Sequence, residues 1–120
     1  MTIDKKKIGY AGELIVAEKL KADGFKILAQ NYQTKRGEID IIATKDDVIC
    51  FVEVKTRTNS NISMLEIIRP IKQKRISLAA LDFLRKNPNY LQIVCRFDVA
   101  LYEQKIDKLT YIPNAFYAKI

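Results

Sequence analysis

Three carboxylates and a lysine stand inside what should be the two most regular strands of this 120-residue chain. The stretch from Arg36 to Arg57, RGEIDIIATKDDVICFVEVKTR, sets two apolar, β-branched runs around a short polar turn, the pattern of a β-hairpin. Glu38, Asp40, Glu53 and Lys55 interrupt those runs where a sheet ordinarily takes Val, Ile or Thr. If Asp46-Asp47 is a two-residue turn, Lys45 pairs with Val48, which sets Asp40 opposite Glu53 and Glu38 opposite Lys55. Facing Cβ atoms lie only about 5 Å apart, so like charges there are destabilising. Glu38 with Lys55 reads as an ordinary cross-strand ion pair. Asp40 with Glu53 calls for a shared proton or a divalent cation between the two carboxylates. The residues leave open a second reading, a strained hairpin with a purely structural role.

Strand alternation places Ile49, Phe51, Glu53 and Lys55 on one face, apolar at one end and charged at the other, as in a buried strand that opens into a cleft. Oxygen donors with no imidazole or thiolate partner suit Mg²⁺ or Mn²⁺. Lys55, on the face of Glu53, is placed to orient a nucleophilic water. A hard cation offsets phosphate charge, so phosphodiester hydrolysis is the matching chemistry. A further carboxylate, Glu13, opens the helical stripe Glu13, Val16, Ala17 and Leu20. Either it bends to solvent at the helix start, or it looks across the sheet toward Asp40 and Glu53. Gly9 and Gly12 beside it would allow the helix to approach another backbone or a ligand closely.

Composition narrows the chemistry further. The chain holds 21 Lys and Arg against 14 Asp and Glu, a formal charge of +7 that favours a polyanionic partner, and it holds no histidine. Histidine-dependent nucleases, Ser-His-Asp triads and most zinc hydrolase sites are thereby excluded. Cys50 and Cys95 each lie in an apolar run and are expected to be buried as small hydrophobes. The amino terminus lacks a hydrophobic signal core and no apolar run reaches membrane-spanning length, so a cytoplasmic protein with no membrane partner is expected.

The elements that must position these residues follow from periodicity and punctuation. A helix is expected over 8–23 with Gly24 as its cap, strands over 25–34, 37–44 and 48–56, and a polar loop over 57–63. A helix over 71–87 follows Pro70, then a strand over 91–103 and a short last one over 108–113. Residues 1–7, with Lys5-Lys6-Lys7, read as a mobile solubilising tail. The order α-β-β-β-α-β describes a single mixed α/β domain with helices packed on a sheet.

Asp40, twelve residues, and then Glu53-Val54-Lys55 resembles the catalytic signature of the PD-(D/E)xK nuclease superfamily. Its core is the same α-β-β-β-α-β order, the restriction-endonuclease-like fold with a mixed central sheet. More closely, GELIVAEKL, NYQTKRGEIDIIA, VICFVEVKTR, KQKRI and RFDVA are similar to the YraN family of bacterial proteins, which is related in fold to Holliday-junction resolvases. The similarity runs from about residue 8 to 117. It implies a Mg²⁺- or Mn²⁺-dependent deoxyribonuclease acting on DNA, with branched or flapped structures as candidate substrates. The implied ligands are Asp40 and Glu53, with an acidic contribution from Glu13 and the backbone carbonyl of Val54, and Lys55 would assist the nucleophilic water. Ile39 stands where the signature has proline.

On the second helix Ile76, Ala79, Ala80, Phe83 and Leu84 form the apolar face. Lys72, Lys74 and Arg75 near its start, with Arg57 at the hairpin end, are the candidates to meet phosphates, the alternative being an ordinary solvated face. No base-reading element stands out, which favours structure-directed or nonspecific binding. The competing function is a non-catalytic nucleic-acid-binding module. Cutting two strands at one place requires two sites, so a weak or DNA-induced homodimer is expected. Leu78, Leu81, Phe116, Tyr117 and Ile120 would supply its patch, unless they complete the core.

Overall fold

The computed structural model describes residues 5–58 and 63–119. A helix α1 (Lys5–Ala22) leads into strands β1 (Lys26–Gln33), β2 (Glu38–Lys45) and β3 (Val48–Arg57). A one-turn helix α2 (Met64–Ile67) and the long α3 (Pro70–Lys86) follow, then β4 (Val94–Glu103) and β5 (Lys108–Phe116). The five strands form one mixed sheet in sequential order, antiparallel throughout except for the parallel pair β3 and β4. The expected mixed α/β architecture is therefore the observed one.

Helix α1 begins at Lys5, so the lysine run belongs to its first turn; residues 1–4 lie outside the described residues. That start carries no acidic residue, an unfavourable choice for a helix amino end. The stability of α1 has to come from packing. Gly24, with φ +93°, closes the helix as expected, and Phe25 N–H returns to the Leu20 carbonyl at 2.9 Å. Pro70 opens α3 at its first position. The sequence missed α2, which lies between the loop expected over 57–63 and the helix expected from 71, and it ended β5 three residues early. Pro113 did not stop that strand because β5 is a sheet edge, where a missing N–H need cost no ladder bond.

Both faces of the sheet are covered. Val16, Ala17 and Leu20 of α1 pack on Ile41, Ala43, Cys50, Val52 and Ala100. Ile76, Ala79, Ala80 and Phe83 of α3 pack on Ile42, Ile49, Phe51, Phe97 and Val99. Phe116 stacks on Phe97 at 5.1 Å between ring centres and belongs to this second core, so it is not free for a dimer patch. Tyr117 is exposed, and Ile120 is outside the described residues. Cys50 is buried as expected, and burial pushes its thiol up to about 12. Cys95 is exposed, contrary to expectation, because it is the second residue of β4, at a strand start that leaves the preceding Val94 exposed too.

Among the described residues, four other than glycine adopt left-handed backbone: Asn31, Asp46, Asp107 and Asn114. Asp46 makes the tight β2–β3 turn, and Lys45 pairs with Val48 as the two-residue turn requires. Asn114 sits where the β4–β5 register shifts, between Phe97 and Val99. There Asp98, fully buried, accepts hydrogen bonds from Asn114 N–H (2.8 Å), the Tyr111 hydroxyl (2.5 Å) and Arg96 Nε and Nη2 (both 2.9 Å). A buried charge is tolerated only with partners of this quality. Removing the acceptor strands Arg96 and Tyr111 together. Asp98→Ala should therefore cost about 3–5 kcal/mol of unfolding free energy, measured by urea denaturation. A cost below about 1 kcal/mol would mean the network is not what pins β5 to β4.

Candidate functional site

The β2–β3 ladder runs from Lys45↔Val48 to Ile41↔Val52 and stops one step short of Asp40. In its place Asp40 Oδ2 accepts the Val54 N–H at 2.7 Å, a donor that in a continued ladder would turn to a β2 backbone carbonyl. A strand residue directs its N–H and C=O to the same antiparallel neighbour, so the Val54 carbonyl also faces β2 beside Asp40. The strands part here, and the expected Glu38–Lys55 pair is absent among the described residues. Glu38 instead pairs in register with Gln33 of β1.

Two glycines bring the helices onto this point. A Cβ at Gly12 would collide with Thr56 Oγ1 of β3, and one at Gly37 would collide with the Arg75 carbonyl of α3. Gly9 has open space around its Cβ position, so of the two glycines in α1 only Gly12 serves close approach. Glu13, one residue on, lies beside the side chains of Asn31 and Asp40. Burial, then the charge of Asp40, push Glu13 up to about 7, with Asn31 opposing. Asp40 is also raised by burial, against the pull of the Val54 N–H and of Lys72.

Glu53 is buried on the α3 face of β3, and its Oε1 meets Lys72 Nζ at 2.6 Å. Burial and then Asp40 push it up to about 7, with Lys72 opposing. Asp40 is thus within electrostatic reach of Glu13, Glu53 and Lys72. Lys55 is half-buried two residues beyond Glu53, with no ion-pair partner among the described residues. That Lys72 is the lysine on Glu53 was not legible from spacing, because it depends on how α3 docks.

Glu53 lies at the floor of a groove of about 820 Å³. One wall is the β1–β2 turn, where the Thr34 hydroxyl accepts the N–H groups of Arg36 and Gly37, both at 3.1 Å. The other wall is the start of α3, and Arg36 ties the turn to that helix further along by pairing with Asp82. Lys35, Arg69, Lys72 and Arg75 line the groove, and of these Lys35, Arg69 and Arg75 carry no ion-pair partner among the described residues. Lys35 and Arg69 were missed from sequence although both flank the motifs. Lys74 is exposed but lies outside the lining, and Arg57 pairs with Glu103 at 3.3 Å instead of facing the groove.

The family model described as uncharacterised protein family UPF0102 matches residues 12–101, three quarters of the chain. The chain belongs to the UPF0102 family. It is 37% identical to a UPF0102 protein of Geobacter metallireducens over 119 residues, 97% of each chain. It is 40% identical to one of Synechococcus sp. over 103 residues, 84% of this chain and 79% of the relative, and 45% identical to one of Thermosynechococcus vestitus over 97 residues, 78% of each. The matched span includes every acidic and basic residue placed at the site above. No helix among the described residues is long and apolar enough to cross a membrane.

The donor chemistry of this UPF0102 site fits a hard divalent cation, since its carboxylates are oxygen donors held together at the cost of raised proton affinity. No three acidic or cysteine side chains among the described residues yet converge on one point, and the positive charge there comes from Lys72. The sign of the pH dependence follows from the two glutamates. Their folded pKa values of about 7 exceed the ordinary 4.5, so the stability they contribute is complete below pH 4.5 and is lost as pH rises through 7. Glu53→Gln should leave stability nearly unchanged at pH 4 and raise it by about 1–3 kcal/mol at pH 8, read by urea denaturation. A variant less stable than wild type at pH 8 would show that the Lys72 pair outweighs the burial of Glu53.

Proposed function

We propose that this UPF0102 protein is a metal-dependent endonuclease that hydrolyses DNA phosphodiester bonds, with branched or flapped DNA as its preferred substrates. The observation that carries the reading is the position of buried Glu53, repelled by neighbouring Asp40, on the floor of a groove lined by Lys35, Arg69 and Arg75, which have no ion-pair partner among the described residues. Asp40 and Glu53, with the Val54 carbonyl and Glu13 beside them, are the residues that would hold Mg²⁺ or Mn²⁺. Such an ion supplies charge neutralisation at the phosphoryl oxygens. Asp40 keeps its place through the Val54 N–H, with Glu13 beside it. Lys55 would orient the attacking water, while Lys35, Arg69 and Arg75 position the backbone through phosphates and read no bases.

A second reading, a nucleic-acid-binding module without catalysis, draws support from the Lys72–Glu53 pair, which already satisfies one carboxylate without metal. Linear, single-stranded, flap and four-way DNA incubated with Mg²⁺ or Mn²⁺ separate the two. The nuclease cuts at least one of them, and Asp40→Asn and Glu53→Gln each lower the rate by about 100-fold or more. Salt-sensitive binding with no cleavage of any substrate would establish the binding module instead.

Groove binding has its own signature. DNA affinity should fall linearly with log salt, and Arg69→Ala and Arg75→Ala should each shrink the slope by about one. Lys74→Ala, outside the lining, should leave the slope nearly unchanged in the same anisotropy titrations. Equal effects from all three would place the DNA elsewhere on α3.

A further inference from the structure

The ion pair between Lys72 and Glu53 joins two residues of very different accessibility. The Glu53 side chain is 8% exposed and that of Lys72 is 43% exposed. An ionised carboxylate so enclosed is costly to leave without a counter-charge, because little solvent reaches it to substitute for one. The lysine is under no such constraint, since its stem runs along the groove wall and its head can return to water. Only one partner of this pair can leave.

Two further observations bear on what Lys72 does when it leaves. Its charge acts on Asp40 as well as Glu53, so it serves both carboxylates from one point. It also lines the groove in the first turn of α3, with Arg69 and Arg75, on the wall that a phosphate backbone would follow. Its backbone anchor is fixed by Pro70 at the first helical position, so the motion is confined to the flexible four-carbon side chain. Lys55, which shares the strand with Glu53, has no ion-pair partner among the described residues and cannot play this part.

We infer that Lys72 is a resident counter-ion of the acidic site, holding Glu53 until a divalent cation takes its place and then turning its ammonium into the groove toward phosphate. The inference rests on the nuclease reading, because it presumes that the carboxylates take a cation. On this account Lys72 and the metal compete for Glu53. The same residue keeps the carboxylates compatible with folding before metal arrives and adds a cation to the groove afterwards.

The test measures metal binding, without DNA and without turnover. Mn²⁺ is titrated calorimetrically into wild type, Lys72→Met, Lys72→Gln and Arg69→Met at pH 8.5, above the raised carboxyl range. Circular dichroism confirms that each variant is folded. If Lys72 competes with the metal, both Lys72 variants bind Mn²⁺ about five- to tenfold more tightly than wild type. Arg69→Met, which removes a groove cation that does not touch the carboxylates, changes affinity less than about twofold. Unchanged or weaker Mn²⁺ binding in the Lys72 variants, with wild type still binding, overturns the inference and leaves the nuclease reading standing. Equal tightening by Arg69→Met also overturns it, since a general reduction of positive charge would then suffice. An absence of Mn²⁺ binding in wild type and variants alike overturns both.

Discussion

The hydrogen bond from Val54 N–H to the Asp40 carboxylate is the point on which the rest of the site depends. By taking a donor that would otherwise turn to a backbone carbonyl, the side chain ends the β2–β3 ladder without leaving a buried N–H unpaired. The parted strands make room for Glu53 to look into the groove and for α1 to bring Glu13 alongside. Asp98 plays a comparable part across the sheet, where its carboxylate takes the Asn114 N–H at the β4–β5 register shift. The two aspartates differ in what surrounds them. Asp98 is enclosed by donors, so its charge is settled and structural. Asp40 has one backbone donor and is surrounded by other acids, so its charge still calls for a cation.

The hairpin was legible because two independent constraints agree there. Alternating β-branched residues fix the faces, and the two-residue turn fixes the register. The apolar stripes on α1 and α3 were legible for the same reason, since burial imposes one period on each helix. What could not be read were the contacts made across elements. Lys55 shares the face of Glu53 by strand alternation, whereas the lysine that reaches Glu53 comes from a helix whose docking depends on Gly37 having no side chain. Asp98 was visible only as one polar residue in an apolar run. Arg96 lay two residues away on the same strand face, but Tyr111 and Asn114 enter through β5, whose pairing the sequence left undefined. Cys95 misled because an apolar run does not reveal where a strand outruns the layers that cover it.

The arrangement also clarifies how one small domain keeps several acids in close proximity. Each is offset in a different way: Asp40 by a backbone donor, Glu13 by Asn31, Glu53 by Lys72. None of these is a strong interaction alone. Together they spread the electrostatic cost over three elements, and each can be released separately when a ligand supplies something better. A site built this way is stable enough to fold and yet retains unspent affinity for positive charge.

The left-handed residues carry a further consequence. Glycine adopts that backbone conformation without strain, yet the chain places asparagine at two positions where a carboxylate network ends: Asn31 beside Glu13 and Asn114 beside Asp98. Asparagine adopts it at some steric cost, but it wanders through far fewer conformations than glycine when the chain is unfolded. Part of the order around both acids is therefore already present as a narrowed ensemble before any tertiary contact forms. The rigidity of these corners belongs in part to the denatured chain.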